Sequence, residues 1–384
     1  MLAIDGGNSK TDVALVAADG TLLASVRGGP SNHQVIGSER ATNELTNLVA
    51  SAAGIAGLPA VGPVAQHTSA CLAGADLPVE EADLHRLVQS LGWSVTSTVV
   101  NDTFAVLRAG LADAGPHWGI GIVCGAGINC VGVAPDGRTT RFLSLGELSG
   151  DWGGGGELGP QALWWAVRAE DGRGPETALR TAVAAHFELD RVEDVVIGMH
   201  LGAIDYAERH RLVPLLFAVA GQGDKVARDI VLRQATEICR MVTVAARRLD
   251  LLATDGVPVV LGGSLMTARD PLLSQTISDQ LTAELPGAEI RIVDVPPVAG
   301  AALLGLDHVG AGPAAAAHLR ESARTTWPTR QAESGAAVML RELHQWLAGV
   351  ESGEQRIEPA ELREQRIGPA ELRARRRRLG GGNE

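Results

Sequence analysis

The sequence predicts an α/β protein of two domains facing each other over a cleft, with a flexible C-terminal tail, and three observations carry that expectation. Strand-like apolar alternation takes turns with helical spacing from the first residues to about residue 300. Strand–turn–strand hairpins with glycine at the bend occur in both halves, at Gly6-Gly7 and at Gly125-Ala126-Gly127. Beyond about residue 310 the pattern gives way to the run Ala314–Ala317 and a direct repeat.

In the first half, strands are expected at 2–5, 12–18, 21–27, 64–71 and 95–100, and helices at 38–55 and 79–91. Ser38 opens the first of these helices with Glu39 in its first turn, where a carboxylate meets the positive end of the helix dipole. A second series starts at Val99-Val100-Asn101-Asp102-Thr103, which sets a domain boundary and divides the chain into 1–101 and 102–310. Its strands are expected at 119–124, 129–134 and 138–143, the last after the turn Pro135-Asp136-Gly137. The glycine-rich stretch Gly146–Gly159 precedes a helical region over 160–250, within which Asp224–Leu249 predicts one long helix. Strands at 257–261 and 290–293 and a helix starting near Ala299 complete the series. Residues 311–350 read as a helical extension. The segment 351–384 carries the repeat Glu354–Arg363 and Glu364–Arg373; two copies are too few for a solenoid, so it reads as a disordered tail.

Composition narrows the function. A formal net charge of −12 argues against a nucleic-acid surface. No apolar run is long enough to predict a membrane span, and the chain starts directly with a strand, so a cytoplasmic protein without a signal peptide is expected. Cys71, Cys124, Cys130 and Cys239 form no CxxC pair and read as small buried hydrophobes. His33 has no Cys or His partner at ligand spacing, so no zinc site is expected.

The chemistry concentrates at strand ends. Gly6 and Gly7 let backbone N–H groups approach an anion, and Asn8, Ser9, Lys10 and Thr11 complete a polar turn. Asp5, ending the first strand, suits a hydrated Mg²⁺ beside phosphates. Gly125, Ala126 and Gly127 form a second phosphate-type bend, followed by Asn129. Gly262, Gly263 and Ser264 follow a strand where open α/β sheets place ligands, close to a flat nucleobase. Asp102 can take a proton from a hydroxyl attacking a γ-phosphate, and also suits an N-cap of the helix it precedes. Asn32 and His33 lie in a polar loop after Gly28-Gly29-Pro30, and Asp151 sits where a carboxylate can pair with sugar hydroxyls. The glycines after Trp152 read as a close ligand approach or a moving loop.

Through Asp5–Thr11, Ser31–Gly37, Asn101-Asp102, Cys124–Cys130, Gly150–Gly159, Leu261–Ser264 and Ala299–Gly305, the chain resembles the BadF/BadG/BcrA/BcrD ATPase family and, within it, the N-acetylglucosamine kinases. The resemblance implies two RNase H-like domains of the actin and sugar-kinase superfamily closing on MgATP. Asp5–Thr11 and Gly125–Asn129 would be the phosphate loops, Leu261–Ser264 the adenosine segment, and Asp102 the catalytic base. Asn32, Asp102, Asn129 and Asp151 match residues that touch the sugar, with transfer to its 6-hydroxyl. The mammalian kinases have tryptophan at Gln34, threonine and serine at Ala126 and Ile128, and tryptophan at Leu145, so free glucosamine or another hexosamine is an alternative acceptor. Relatives commonly dimerise, which leaves a homodimer open. The competing expectation is a nucleotide-driven conformational switch acting on a protein partner.

Overall fold

The computed structural model of the chain describes residues 1–59, 62–114 and 117–325, so the expected tail at 351–384 and most of the extension at 311–350 lie outside the described residues. The first sheet contains β1 (Leu2–Gly6), β2 (Thr11–Val16), β3 (Leu22–Gly28), β4 (Ala65–Leu72) and β5 (Ser94–Asn101) in the order β3-β2-β1-β4-β5. The second contains β6 (Gly119–Cys124), β7 (Ile128–Val133), β8 (Thr139–Arg141), β9 (Val257–Gly262) and β10 (Ala288–Ile292) in the order β10-β9-β6-β7-β8. In each, a three-strand antiparallel meander is extended on one side by two parallel strands. Counted from the first strand, the two sheets have the same order: the repeated hairpins predicted the duplication, and the family resemblance implied its RNase H-like topology.

The helices of the first half are α1 (His33–Ile36), α2 (Ser38–Ile55), α3 (Pro78–Ser90) and α4 (Asp102–Gly110). Pro78 opens α3 with its fixed φ, and the Glu80 carboxylate accepts from the N–H groups of Leu77 (2.8 Å) and Asp76 (3.1 Å). The period-two alternation of strands divides the first sheet between two cores. Leu2, Ile4, Val13 and Leu15 cluster with Leu45, Leu48 and Val49 of α2 and Leu84 and Val88 of α3. Ala3, Ala14 and Cys71 cluster on the other face with Ala105 and Val106 of α4.

The helical region predicted over 160–250 resolves into α5 (Gly155–Glu170), α6 (Leu179–His186), α7 (Val192–His200), a 3₁₀ turn at Tyr206–Leu212, α8 (Val213–Gly221) and α9 (Lys225–Arg248). Asp224 separates the last two: Gly223 takes φ +95°, and the Asp224 carboxylate accepts from the Ala227 N–H at 2.9 Å. Four further helices follow: α10 (Ser264–Thr267), α11 (Pro271–Glu284), α12 (Pro297–His308) and α13 (Gly312–Thr325).

Two compact units result. One comprises Met1–Trp152, Thr236–Arg269 and, among the described residues, 277–325, and it contains both sheets. The other comprises Gly153–Ala235 and Asp270–Thr276. In this second unit Gly153, at φ +134°, lies against the fully buried Gln234, whose Oε1 accepts from the Gly154 N–H at 2.8 Å. Packing on Gln234 therefore accounts for Gly153, and a backbone φ of +76° favours glycine at Gly154, in a run that the sequence reading assigned to ligand approach or loop motion.

Inside the first unit, α4 is seated by missing side chains. A Cβ on Gly121 of β6 would lie 2.7 Å from Leu107 Cβ, one on Gly262 would overlap Val106, and one on Gly300 of α12 would overlap the Ala105 carbonyl. The far end of α4 is held by arginines. Arg108, 1% exposed, pairs in bidentate fashion with Asp307 (2.6 and 3.1 Å), and Arg320 of α13 donates to the carbonyls of Arg108 (3.1 Å), Ala109 and Leu111 (2.6 Å). These are the carbonyls an α-helix C-terminus leaves open. Gly300→Ala is expected to lower unfolding free energy by about 2 kcal/mol or more, because helix backbone cannot give way as a flexible side chain would. A denaturant titration giving a loss well under 1 kcal/mol would contradict that packing.

Candidate active site

Within the first unit, side chains at or just past the carboxyl ends of β4 and β5 meet Asn129 from the start of β7, with Asp5 of β1 close enough to feel the Asp102 charge. Asp5 is the penultimate residue of β1, in register with Cys71 of β4 and with Asp12 of β2. The turn after it is closed by the Gly7 N–H donating to the Lys10 carbonyl at 2.9 Å. Asn8 and Ser9 are exposed at the tip, while Thr11 is buried and donates to Ser31 Oγ at 2.8 Å. Lys10 Nζ lies 2.5 Å from Asp12 Oδ2, and Arg27 holds both oxygens of that same carboxylate (2.6 and 3.0 Å). Two cations thus share one buried carboxylate beside the turn.

Asn32 caps α1, its Oδ1 accepting from the Gln34 N–H at 2.9 Å, and its Nδ2 donates to Asn8 Oδ1 at 2.6 Å. That bond ties the Asn32-His33 loop to the glycine turn. Gly74, at φ +84°, lets the chain after β4 pass directly against both residues, since a Cβ there would sit 2.6 Å from Asn32 Oδ1 and 3.1 Å from His33 Cε1.

At the end of β5 the structure separates the two roles considered for Asp102. Asn101 is the N-cap of α4, its Oδ1 accepting from the Thr103 N–H at 3.0 Å, and Asp102 is the first helical residue. The capping role expected of Asp102 therefore belongs to its neighbour. Asn129 of β7 reaches across from the second sheet and donates through Nδ2 to the same Asn101 oxygen at 3.0 Å. Asp151 accepts from Ser149 Oγ at 2.5 Å, after Gly150 has turned the chain at φ +78°.

The β6–β7 bend is closed by the Gly125 N–H donating to the Gly127 carbonyl at 3.0 Å. A Cβ on Gly125 or Gly127 would meet nothing within 4 Å, and neither residue has a positive φ. Neither packing nor backbone strain asks for glycine there, whereas a phosphate approaching the backbone N–H groups would. Ala126 is exposed between them. Gly262 and Gly263 differ: Gly262 packs on α4, and Gly263, at φ +92°, lies against the Cys124 backbone, so internal packing already demands both. Ser264 then begins α10.

The electrostatics single out three carboxylates. Burial pushes Asp5 up to about 7, with the charges of Asp102 and Asp12 adding to the push and Lys10 opposing it. Asp102 is pushed up to about 6 by burial. Asp76, just after β4, is pushed up to about 7 by burial, then by Asp102 and Glu80, with Arg141 working against the shift. No motif pointed to Asp76; the sign that it belongs here is its hydrogen bond from Asn101 Nδ2 at 2.9 Å, which depends on strand order. Among the described residues no group of three or more His, Cys, Asp or Glu side chains is arranged to hold a metal. A Mg²⁺ held by one carboxylate, phosphates and water needs no such group, and Asp5 is a hard oxygen donor at a buried strand end.

Duplicated RNase H-like sheets with glycine bends and carboxylates at their strand ends define an ATPase of the actin-like, sugar-kinase class. The chain belongs to the BadF/BadG/BcrA/BcrD ATPase family, whose model matches residues 2–305, and ATP is accordingly its nucleotide. It is 28% identical over 324 residues to the N-acetyl-D-glucosamine kinase of Dictyostelium discoideum, covering 80% of this chain and 97% of that one. It is 28% identical over 266 residues to the N-acetylmuramic acid/N-acetylglucosamine kinase of Clostridium acetobutylicum (68% and 84%). Among solved structures it is similar to a provisionally named N-acetylglucosamine kinase of Chromobacterium violaceum, with TM-score 0.59 and 25% identity over 79% of this chain and 98% of that one. A counterpart from Porphyromonas gingivalis shares the fold at TM-score 0.56 and 16% identity over 80% and 99%. No described helix is long and apolar enough to cross a membrane.

The folded protein retains a proton on Asp5 up to about pH 7, whereas an ordinary aspartate loses it at 3.8. Between those values the folded state binds more protons than the unfolded chain, so this group makes stability fall as pH rises through the window. Asp5→Asn removes the buried charge and is expected to be more stable than the parent at pH 8 by on the order of 1–3 kcal/mol, with the difference vanishing toward pH 4. Paired denaturant titrations at the two pH values check this; equal stability at pH 8 would contradict a charged, uncompensated Asp5.

Proposed function

We propose that this chain is an ATP-dependent amino-sugar kinase that transfers the γ-phosphoryl group of ATP to the 6-hydroxyl of N-acetylglucosamine or a related hexosamine. The observation that carries the reading is the meeting at Asn101: its side chain caps the helix that begins with Asp102 and receives Asn129 from the opposite sheet. A base and a sugar-binding amide are thereby held together at the ends of strands from two nucleotide-binding sheets. The two curated relatives, both named as kinases of N-acetylated amino sugars, support the acceptor class.

In this reading Asn32, His33, Asn129 and Asp151 bind the sugar and present one hydroxyl to Asp102. The Asp102 carboxylate accepts the hydroxyl proton as the oxygen attacks the γ-phosphorus, and the bond to the ADP oxygen breaks. Gly6-Gly7 and Gly125-Ala126-Gly127, with little or no side chain, let the phosphates lie against the two turns, where Lys10 and the hydroxyl of Ser9 stabilise charge on the phosphoryl oxygens. Gly262, Gly263 and Ser264 border the adenosine. Asp5 would hold Mg²⁺, which when bound neutralises phosphate charge. Arg27 and Lys10 on Asp12 keep further positive charge beside that turn without closing it.

The deciding experiment is ADP release with MgATP across a panel of hexoses, with mass detection of the sugar phosphate. Stimulation by N-acetylglucosamine or glucosamine with a 6-phosphate product is expected; turnover indifferent to every sugar would overturn the reading in favour of an ATP-driven switch. Asp102→Asn should lower kcat about 1,000-fold or more while leaving sugar affinity within a few-fold, because it removes a base that acts in the transition state. In the parent, kcat/KM should rise with pH and level off above about 6, as Asp102 loses its proton. A profile flat from pH 5 to 8 would sink the assignment of the base.

A further inference from the structure

Asp76 lies just past the carboxyl end of β4, and none of the roles assigned above uses it. Its Oδ1 accepts from Asn101 Nδ2 at 2.9 Å. The orientation of the Asn101 amide is settled by a partner that can only donate: the Thr103 N–H points at Oδ1, so Nδ2 must face Asp76. The same logic orients Asn129, whose Oδ1 accepts from the Cys130 N–H at 2.7 Å and whose Nδ2 therefore donates to Asn101. Asn101 is 2% exposed, so an Nδ2 deprived of Asp76 would be left buried and unsatisfied.

Asp76 is itself anchored on its other side. Its N–H donates to Glu80 Oε2 at 3.1 Å, and Glu80 Oε1 accepts from Gln34 Nε2 at 2.9 Å. A hydrogen-bonded chain thus runs from Gln34, two residues beyond Asn32, through Glu80, Asp76 and Asn101 to Asn129 on the second sheet. It starts two residues from Asn32, ends at Asn129, and contains no residue of the Gly6–Lys10 turn assigned to phosphate.

We propose that Asp76 is a positioning residue for the acceptor sugar: by accepting from Asn101 it sets the amide that aims Asn129 at the sugar and caps the helix carrying Asp102. The proposal rests on the kinase reading above. What Asn101 requires is an oxygen acceptor, not a negative charge. Burial first, then the charges of Asp102, Glu80 and Asp151, opposed by Arg141, already disfavour its ionised form. An asparagine in its place presents the same oxygen and should serve.

Steady-state kinetics of the full chain test this, with sugar varied at saturating MgATP and then the reverse. Asp76→Ala is expected to raise the sugar KM about tenfold or more and leave the ATP KM within about twofold, the loss due to one buried unsatisfied donor. Asp76→Asn should return the sugar KM to within about threefold of the parent. An unchanged sugar KM in the alanine variant, an asparagine variant as impaired as alanine, or both KM values rising together would each overturn the proposal. If alanine does not fold, the near-isosteric Asp76→Leu is read against asparagine in the same way. A parent without sugar-dependent turnover overturns the kinase reading and this proposal with it; an active parent with indifferent variants overturns the proposal alone.

Discussion

Everything at the candidate site depends on how closely α4 is packed. Its first residue is Asp102, and its body rests on β6, β9 and α12 through glycines at 121, 262 and 300, where a methyl group has no room. Its C-terminal carbonyls are taken by Arg320 and its buried Arg108 by Asp307. Close-packed interiors transmit strain rather than absorb it. A helix fixed on three sides and at its far end therefore delivers its N-terminus to a defined place, and packing by itself requires the glycines that permit this.

The site itself is assembled against electrostatic preference. Asp5, Asp76 and Asp102 are all pushed upward by burial, and for Asp5 and Asp76 the Asp102 charge adds to the push. Nearby cations are engaged elsewhere: Arg27 on Asp12, and Arg141 on Glu81 at 2.9 Å. Such an arrangement destabilises the empty protein and is relieved by a ligand bringing positive charge or donating hydrogen bonds. That asymmetry distinguishes it from Arg108 with Asp307 and Arg320 with Asp113, where each charge has its partner and the role is structural.

Glycine carries two different messages in this chain, and local sequence does not tell them apart. Gly125 and Gly127 have open space and ordinary backbone, so nothing inside the protein requires glycine there. Gly153, Gly262 and Gly263 look equally loop-like in sequence, yet each is required by a neighbour inside the protein: Gln234, Val106 or Cys124. Each neighbour lies far along the chain from its glycine, and close packing between distant segments has no local signature. The same distance hid Asp76, whose hydrogen bond to Asn101 spans two strands of one sheet.

What the sequence determined by itself was the set of elements and the chemistry at their ends. Apolar patterning located the ten strands among the described residues, and the helices at 38–55 and 225–248 were expected there to within a residue, because periodicity is a local property that burial then enforces. Strand-end carboxylates and glycine bends were likewise readable, since backbone geometry and charge belong to single residues. Tertiary structure alone decided that Asn129 reaches Asn101 from the other sheet and that Asp76 completes the hydrogen-bonded chain. Those outcomes depend on strand order and register, which bring together residues 25 to 28 positions apart. No local propensity encodes that proximity.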